Sequence, residues 1–393
     1  MNFDLLIVGA GPVGLSLALG LRDHGLKIGI IERQSLAEIA KPKFDGREIA
    51  LTHHSLAILN DFGLGAVLEP EIAMLAKAHV VNGSSPYHLD FEPPASSSDP
   101  LGFLIPNAVI RQALWDALSV CNNITFLDGR ALAHIDTAAD RNRVRCRGGE
   151  EFSAPLIIAA DNRFSESRRL MGIGASMHDF GRSMMVCRME HEIPHQHIAL
   201  EWFDYGQTVA LLPCNGNVVS VVLTLPGHEH DQLLAMDEES FAREIERRLK
   251  HRCGRMKLIS ERCGYPLVGV YAHRFVGHRF ALAGDAAVGM HPVTAHGFNF
   301  GLLSQEFLVR EISEALKKNQ DIGNPQGLDR YQRSHRLATL PVFLATNAVA
   351  TLFTDDRTPA KLARKLALRA SNHLPFFKQQ VLGRLLTHRR QVD

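Results

Sequence analysis

Apolar residues cluster first in Leu5-Leu6-Ile7-Val8, which breaks into Gly9-Ala10-Gly11-Pro12-Val13-Gly14, continues as a helical stretch, and returns as a second apolar run from Lys27 to Ile31 that ends at Glu32. That order predicts strand, tight turn, helix and strand, a βαβ unit. Farther along, a helix-like run reaches about Phe62, and residues 77 to 104 read as short strands broken by the loop signature Glu92-Pro93-Pro94-Ala95-Ser96-Ser97-Ser98-Asp99-Pro100. A helix is expected from about Asn107 to Ser119. Ile124 to Ala160 alternates like a hairpin sheet and closes in the buried-strand run Pro155 to Ala160. Residues 183 to 271 are again strand-rich, with one helical interruption expected from Glu238 to Lys250. A strand at Phe280 to Ala283 then leads to helices from about Phe298 to Lys318 and from Leu328 onwards.

The pattern implies an α/β chain: a dinucleotide-binding domain interrupted by a sheet-based layer and closed by C-terminal helices. Residues 1–76, 102–176 and 272–330 are expected to form the discontinuous cofactor domain. Residues 77–101 and 177–271 would form the β-sheet domain, and 331–393 the helical region. A length of 393 residues with 46% hydrophobic and 22% charged side chains fits such a multidomain globular chain.

Three segments carry candidate chemistry. In the first, Gly9 permits the tight turn, Gly11 lets backbone approach a pyrophosphate, Gly14 allows close helix-to-strand packing, and the helix N-terminus favours negative charge. Glu32 falls where a carboxylate accepts ribose hydroxyls and would repel a 2′-phosphate, so the site suits the adenosine of FAD or NAD rather than NADP. In the second, Asp161 ends a strand, Asn162 can adopt a left-handed turn, and a basic helix start follows. This segment reads either as a phosphate or ribose contact or as an ordinary strand-to-helix cap. In the third, Gly284 turns after a strand, Asp285 stands at the strand's carboxyl end, and Gly297, Asn299 and Gly301 open a helix whose N–H groups can stabilise an anionic flavin ring.

Charge and composition remove several alternatives. A net charge of +1 gives no reason to expect nucleic acid, and six cysteines without a C-x-x-C pair fit a reducing, cytoplasmic setting. Asp4 stands where a leader would need positive charge. The run Leu340 to Phe353 contains Asn347 and falls short of the ~20 residues of a spanning helix. Among twenty histidines, His191, His195, His197, His228 and His230 read as a solvated surface rather than a metal site, and His53 and His54 carry no assigned role. Only His291 and His296, inside the third segment, are candidates for lining a pocket. From Lys361 to Arg390 basic residues alternate with leucines and phenylalanines, which reads either as a membrane- or partner-facing amphipathic helix or as a capping helix with a solvated basic face.

With these segments the chain resembles the group A flavoprotein aromatic hydroxylases, and more narrowly the ubiquinone-biosynthesis ring hydroxylases of the UbiH, UbiF and UbiM type. The resemblance runs from Asp4 to about Leu386 and implies a glutathione-reductase-type FAD domain of the p-hydroxybenzoate hydroxylase kind. It implies Gly9, Gly11, Gly14, Glu32 and Arg33 at the ADP half of FAD, with Arg47, Arg111 and Asp161 as further cofactor contacts. Asp285 would hold the ribityl chain, and Pro292 to Gly301, including Gly297, Phe298 and Asn299, would wall the flavin ring beside His291, Pro292 and His296.

The implied reaction is NAD(P)H- and O₂-dependent hydroxylation of a polyprenylated phenol or quinol through a flavin C4a-hydroperoxide, with C5 of a demethoxyubiquinol precursor as the position. A biosynthetic complex and peripheral contact with the inner membrane through the basic C-terminal helices would be its partners, with no metal. The sequence departs from the family at Asn162, Val288 and His296, and the combination around His291 to Gly301 looks nearest the UbiM branch. Competing readings are a soluble aromatic-acid hydroxylase using Arg182 or Arg188, and a flavin-binding scaffold without chemistry. A halogenase is disfavoured by the lack of a W-x-W-x-I-P element.

Overall fold

The computed structural model describes residues 1–83, 88–94, 97, 99–204, 206–292 and 296–354. Its centre is a six-stranded sheet in the order 276–277, 280–282, 156–159, 5–8, 28–31, 124–127. Leu5 aligns with both Leu156 and Ile28 in parallel register, and only the 276–277 edge runs antiparallel. Leu5 to Val8 are buried throughout, as a parallel strand covered on both faces must be. Helix Pro12–Gly20 packs against helices Asn107–Ser119 and Gly297–Lys317.

The alternation between Ile124 and Ala160 does not make one hairpin sheet. Ile124–Leu127 joins the parallel sheet beside Ile28–Ile31, whereas Leu132–Asp136, Asn142–Cys146 and Glu151–Ala154 form a separate antiparallel sheet. Leu156–Ala159 then returns to the centre. The period-2 pattern is common to all these strands, and only long-range pairing separates them.

A nine-stranded sheet forms the second layer. Its path runs 288–289, 263–272, 175–191, 218–225, 207–213, 198–204, 77–82, 88–91, with 256–258 pairing off the long strand Ala175–His191. Met185, Cys187, Met189, Trp202, Val209, Val221 and Leu223 fill one face against Leu233, Phe241 and Ile245. The helix expected from Glu238 to Lys250 is present as Glu238–Arg248, and another helix, Gly227–Ala235, which the strand-rich pattern did not announce, precedes it. Asp237 separates them: its Oδ1 accepts from Ser240 N at 2.8 Å and so starts the second helix afresh.

The opposite face of this sheet looks toward the cofactor domain. There Arg188 Nε and Nη2 reach Glu48 Oε1 at 2.7 and 2.6 Å, and Tyr265 donates its hydroxyl to the carbonyl of Asp45 at 2.6 Å. The chain ends its described course in helix Pro325–Thr354. The basic segment from Lys361 to Arg390 lies outside the described residues, and no helix among those described is long and apolar enough to cross a membrane.

Candidate active site

The first segment meets the second through Gly9. Its φ of +107° is a left-handed conformation, and a Cβ there would stand 2.6 Å from the carbonyl oxygen of Ala160. Only glycine satisfies both demands. Gly14 is equally confined, since its Cβ would lie 2.0 Å from the Gly9 carbonyl oxygen. Above Gly11 nothing stands within 4 Å, so the loop is open on the side where a pyrophosphate would approach.

The third segment closes on the same point. A Cβ on Gly284 would meet Val13 Cγ2 at 3.0 Å, and one on Gly301 would meet it at 2.4 Å, so Val13 of the first helix is held between the turn and the later helix. A Cβ on Gly297 would come 4.0 Å from Asp285 Oδ1, placing the start of helix Gly297–Lys317 beside that carboxylate. Val293, Thr294 and Ala295, between the wall residues Pro292 and His296, lie outside the described residues.

Glu32 spans the cofactor edge of the first sheet. Its Oε2 accepts from Ala10 N at 2.7 Å and its Oε1 from Gln34 N at 3.0 Å, so the carboxylate is held over the glycine loop. Arg33, next in sequence, is exposed. Arg111 Nη2 approaches Gln34 Oε1 at 3.4 Å, yet its buried Nε has no hydrogen-bond partner among the described residues. Burial lowers the pKa of this guanidinium below the ordinary arginine value, with neighbouring Asp45 opposing and Arg47 adding to the shift. Asp161 Oδ2 accepts from Ser167 N and Oγ at 3.3 and 3.1 Å, whereas its buried Oδ1 is likewise unpartnered.

An orphaned acceptor next to Gly9 and an orphaned donor beside Gln34, two residues after Glu32, are what a site for an anionic, hydroxyl-bearing cofactor would leave. The residues therefore fit FAD. Asn162, expected in a left-handed turn, keeps negative φ. Its Oδ1 accepts from Phe164 N at 2.8 Å, and this Asx turn reverses the chain without the glycine-like conformation.

Two arginines stand near these groups: Arg168, which the family resemblance pairs with Asp161, and Arg163, to which it gives no role. Arg163 Nη2 and Nε reach Asp285 Oδ2 at 2.9 and 3.2 Å, and its Nη1 donates to the Val268 carbonyl at 3.0 Å. Arg168, 3% exposed, donates through Nη1 to the Ala286 carbonyl at 2.9 Å and through Nη2 to that of Arg163 at 3.2 Å. It acts as a brace between the second and third segments. Asn299 spends its side chain similarly, accepting from Thr52 N at 3.1 Å and donating to the Ala50 carbonyl at 2.8 Å. What the helix start itself presents, at Gly297, Phe298 and Asn299, is first-turn backbone N–H groups.

At the domain boundary Arg47 bonds Asp45 Oδ2 through Nε at 3.0 Å and Nη2 at 2.5 Å, and Asn107 Nδ2 donates to the same oxygen at 2.7 Å. Asp45 is thus a hub to which the sequence reading gave no role of its own. Its only local signal was its place two residues before Arg47.

His291 is buried beside the Phe180 ring, 4.7 Å between centroids in an edge-on arrangement. Burial and the nearby charge of Arg163 hold its imidazole down to about 4. It is therefore neutral at physiological pH. Pro292 and His296 are half-buried, and the His296 ring lies 5.5 Å from that of Phe300.

Other sequence candidates resolve differently. His191 and His230 are buried, not solvated, and His191 contacts the His195 ring at 5.4 Å. Among the described residues no group of three or more histidine, cysteine or acidic side chains could hold a metal ion. His53 Nε2 meets the Pro100 carbonyl and His54 Nε2 meets Glu306, both as links between elements. Arg188, a candidate for gripping a substrate carboxylate, is engaged with Glu48, which is almost fully buried. Burial raises the Glu48 carboxyl above its ordinary value even against the opposing charge of Arg188.

Comparison with known proteins adds the following. Residues 2–341 match the family described as FAD binding domain. The chain is 43% identical over 390 residues to the ubiquinone hydroxylase UbiM of Neisseria meningitidis, covering 98% of this chain and 85% of that protein. It is 33% identical over 367 residues to the ubiquinone hydroxylase UbiL of Rhodospirillum rubrum, covering 93% and 85%. In fold it is similar to p-nitrophenol 4-monooxygenase PnpA from Pseudomonas putida, with a TM-score of 0.79, 19% identity and full coverage of both chains.

Proposed function

From the premise that this chain belongs to the FAD binding domain family and is an FAD-dependent flavoprotein monooxygenase, we propose that it hydroxylates the ring of a polyprenylated phenol in ubiquinone biosynthesis, at C5 of a demethoxyubiquinol precursor. The reductant is NAD(P)H and the oxidant O₂. The observation that carries this reading is the character of the sheet face beside the cofactor cradle. Val222, Ala210, Val80 and Phe91 are half-buried apolar positions on this face, with the acid Glu201 set between Ala210 and Val80, and Val349 and Leu352 of the last helix pack near Val80 and Phe91. Apolar positions of this kind suit a prenyl tail, and the Arg188–Glu48 pair leaves that arginine unable to serve a substrate carboxylate.

Bound FAD would supply the redox chemistry by which NAD(P)H and O₂ deliver one oxygen atom to the ring. The chain's own groups bind and orient. Gly9, Gly11, Gly14 and the N-terminus of helix Pro12–Gly20 would receive the pyrophosphate, Glu32 the adenosine ribose, and Arg111 the adjoining negative charge. Asp285 would hold the ribityl hydroxyls, with Arg163 fixing its position. The start of helix Gly297–Lys317 would stabilise negative charge on the reduced ring, and the Arg168 brace keeps the turn that carries Asp285 aligned with Asp161. His291, neutral and packed on Phe180, walls the ring without adding a positive charge.

The test is the mass spectrum of quinone-pool lipids from a strain lacking its own ring hydroxylases, with and without this chain. Conversion of a precursor to a species one oxygen heavier supports the reading, and the intermediate consumed identifies the ring position. FAD-loaded protein that leaves the lipids unchanged would overturn it. Peripheral attachment to the inner membrane, or to a biosynthetic complex, is the accompanying proposal. It is assigned to the basic segment beyond residue 360 and tested by liposome flotation of a truncated chain.

A further inference from the structure

Strand Ile198–Asp204 alternates strictly. Leu200 and Trp202 enter the core of the sheet domain, and Phe203 turns to the other face, where it packs near Val349 and Leu352. Glu201 shares the face of Phe203. Its cross-strand neighbours are Ala210 and Val80, and the row continues through Val222 to Val186. This row ends against the cofactor domain, since Val186 Cβ lies 3.2 Å from where a Cβ on Gly46 would stand. Four apolar residues and one acid therefore cross the sheet in line, on the face turned toward the flavin side.

Glu201 makes no hydrogen bond or ion pair among the described residues. It is enclosed by protein deeply enough that burial alone pushes its carboxyl up to about 8, yet the side chain keeps contact with solvent. Its carboxyl is thus largely surrounded by protein while part of the side chain still meets solvent. Strands lie about 4.8 Å apart, so a glutamate side chain can extend over the small Ala210 toward Val222. An unpartnered acid in such a place calls for an explanation.

We propose that Glu201 anchors the substrate ring, its carboxyl receiving a ring hydroxyl and selecting a neutral phenol or quinol over an aromatic acid. The inference rests on the hydroxylase reading above and names the residue that sets its substrate class. A protonated carboxyl offers one donor and retains acceptor capacity, which matches a hydroxyl beside a second ring oxygen. A substrate carboxylate would bring a second acid beside Glu201, and among the described residues the arginines of the neighbouring strands are engaged elsewhere. On neighbouring strands Arg188 is bound to Glu48, and Arg182 Nη1 donates to the Gly206 carbonyl. His79 aligns with Leu200 and so belongs to the opposite face, where it pairs with Asp90. Residues 342–352 of the last helix carry no titratable side chain.

The test compares FAD-loaded wild type, Glu201→Gln and Glu201→Ala by titrating flavin absorbance with two probes. One is a 2-methoxy-6-alkylphenol with a short prenyl tail, and the other is 4-hydroxybenzoate. Glu201→Ala should bind the neutral phenol about tenfold more weakly or worse, the loss expected for one buried hydrogen bond. Glu201→Gln, which keeps a donor and an acceptor, should recover most of that affinity, and both variants should gain affinity for 4-hydroxybenzoate relative to wild type. Equal phenol affinity in wild type and Glu201→Ala would overturn the assignment of Glu201 alone. Wild type that ignores the phenol and binds 4-hydroxybenzoate would overturn the hydroxylase substrate reading itself.

Discussion

Arg168 donates to the carbonyl of Ala286 at 2.9 Å and thereby ties the helix after Asp161 to the turn that carries Asp285. The two segments lie on separate stretches of chain, and a single buried guanidinium sets their spacing. Its other amino group bonds the Arg163 carbonyl, so removing it strands two acceptors.

Arg168→Ala should therefore destabilise the fold by about 1–3 kcal/mol per unpaired carbonyl and release FAD more readily. Thermal melting of apo- and FAD-loaded protein checks both. Arg168→Lys should recover only part of either, because one ammonium cannot reproduce the planar fork.

Gly14→Ala and Gly11→Ala should fail in different ways. The methyl at Gly14 collides with the Gly9 carbonyl and disturbs the loop itself, whereas the methyl at Gly11 meets no protein atom. Gly11→Ala should fold with a melting temperature close to that of the wild-type apoprotein and yet purify with little flavin. A Gly11→Ala protein retaining full FAD would place the pyrophosphate elsewhere.

Arg111→Leu offers a complementary measurement. Its buried Nε has no partner among the described residues, so the substitution should leave apoprotein stability unchanged or improved. FAD affinity should fall by about tenfold or more, the scale of one charge-assisted hydrogen bond. Calorimetric titration of apoprotein with FAD gives the number.

His335 lies wholly buried, stacked on Tyr331, with neither ring nitrogen partnered among the described residues, and burial holds its imidazole down to about 3. In the unfolded chain it titrates near the ordinary histidine value. Folding stability is thus fully present above that value and falls as pH drops from about 6.5 toward the folded value. His291 acts in the same sense between about 6.5 and its folded value of about 4. His335→Phe should raise stability and reduce this acid-side slope, as urea unfolding at pH 7 and pH 5 will show.

Glu201 acts in the opposite direction. Its folded value of about 8 stands above the ordinary carboxyl value, so its contribution is greatest at low pH and is lost as pH rises toward 8. Glu201→Gln should therefore gain melting temperature over wild type progressively between pH 5 and pH 8. A constant difference across that range would mean that the acid is not desolvated.

The cofactor class was legible because its signals are local. A left-handed Gly9, a methyl-free Gly14, an acid after the second strand and a Gly-Asp turn are backbone requirements within a few residues, and any fold that binds a dinucleotide must write them into adjacent positions. The strand alternation likewise announced a second sheet. What the alternation could not say is which strand pairs with which, and so it merged Ile124–Leu127 with the small antiparallel sheet. For the same reason Asp45 as a hub, the Arg188–Glu48 pair and the row that sets Glu201 beside Ala210 and Val80 emerge only with the register of strands far apart in sequence. A glutamate within an apolar strand reads from sequence as a solvated face. Tertiary structure alone decides that water is mostly excluded from Glu201, because desolvation depends on everything that surrounds a side chain and not on its neighbours along the chain.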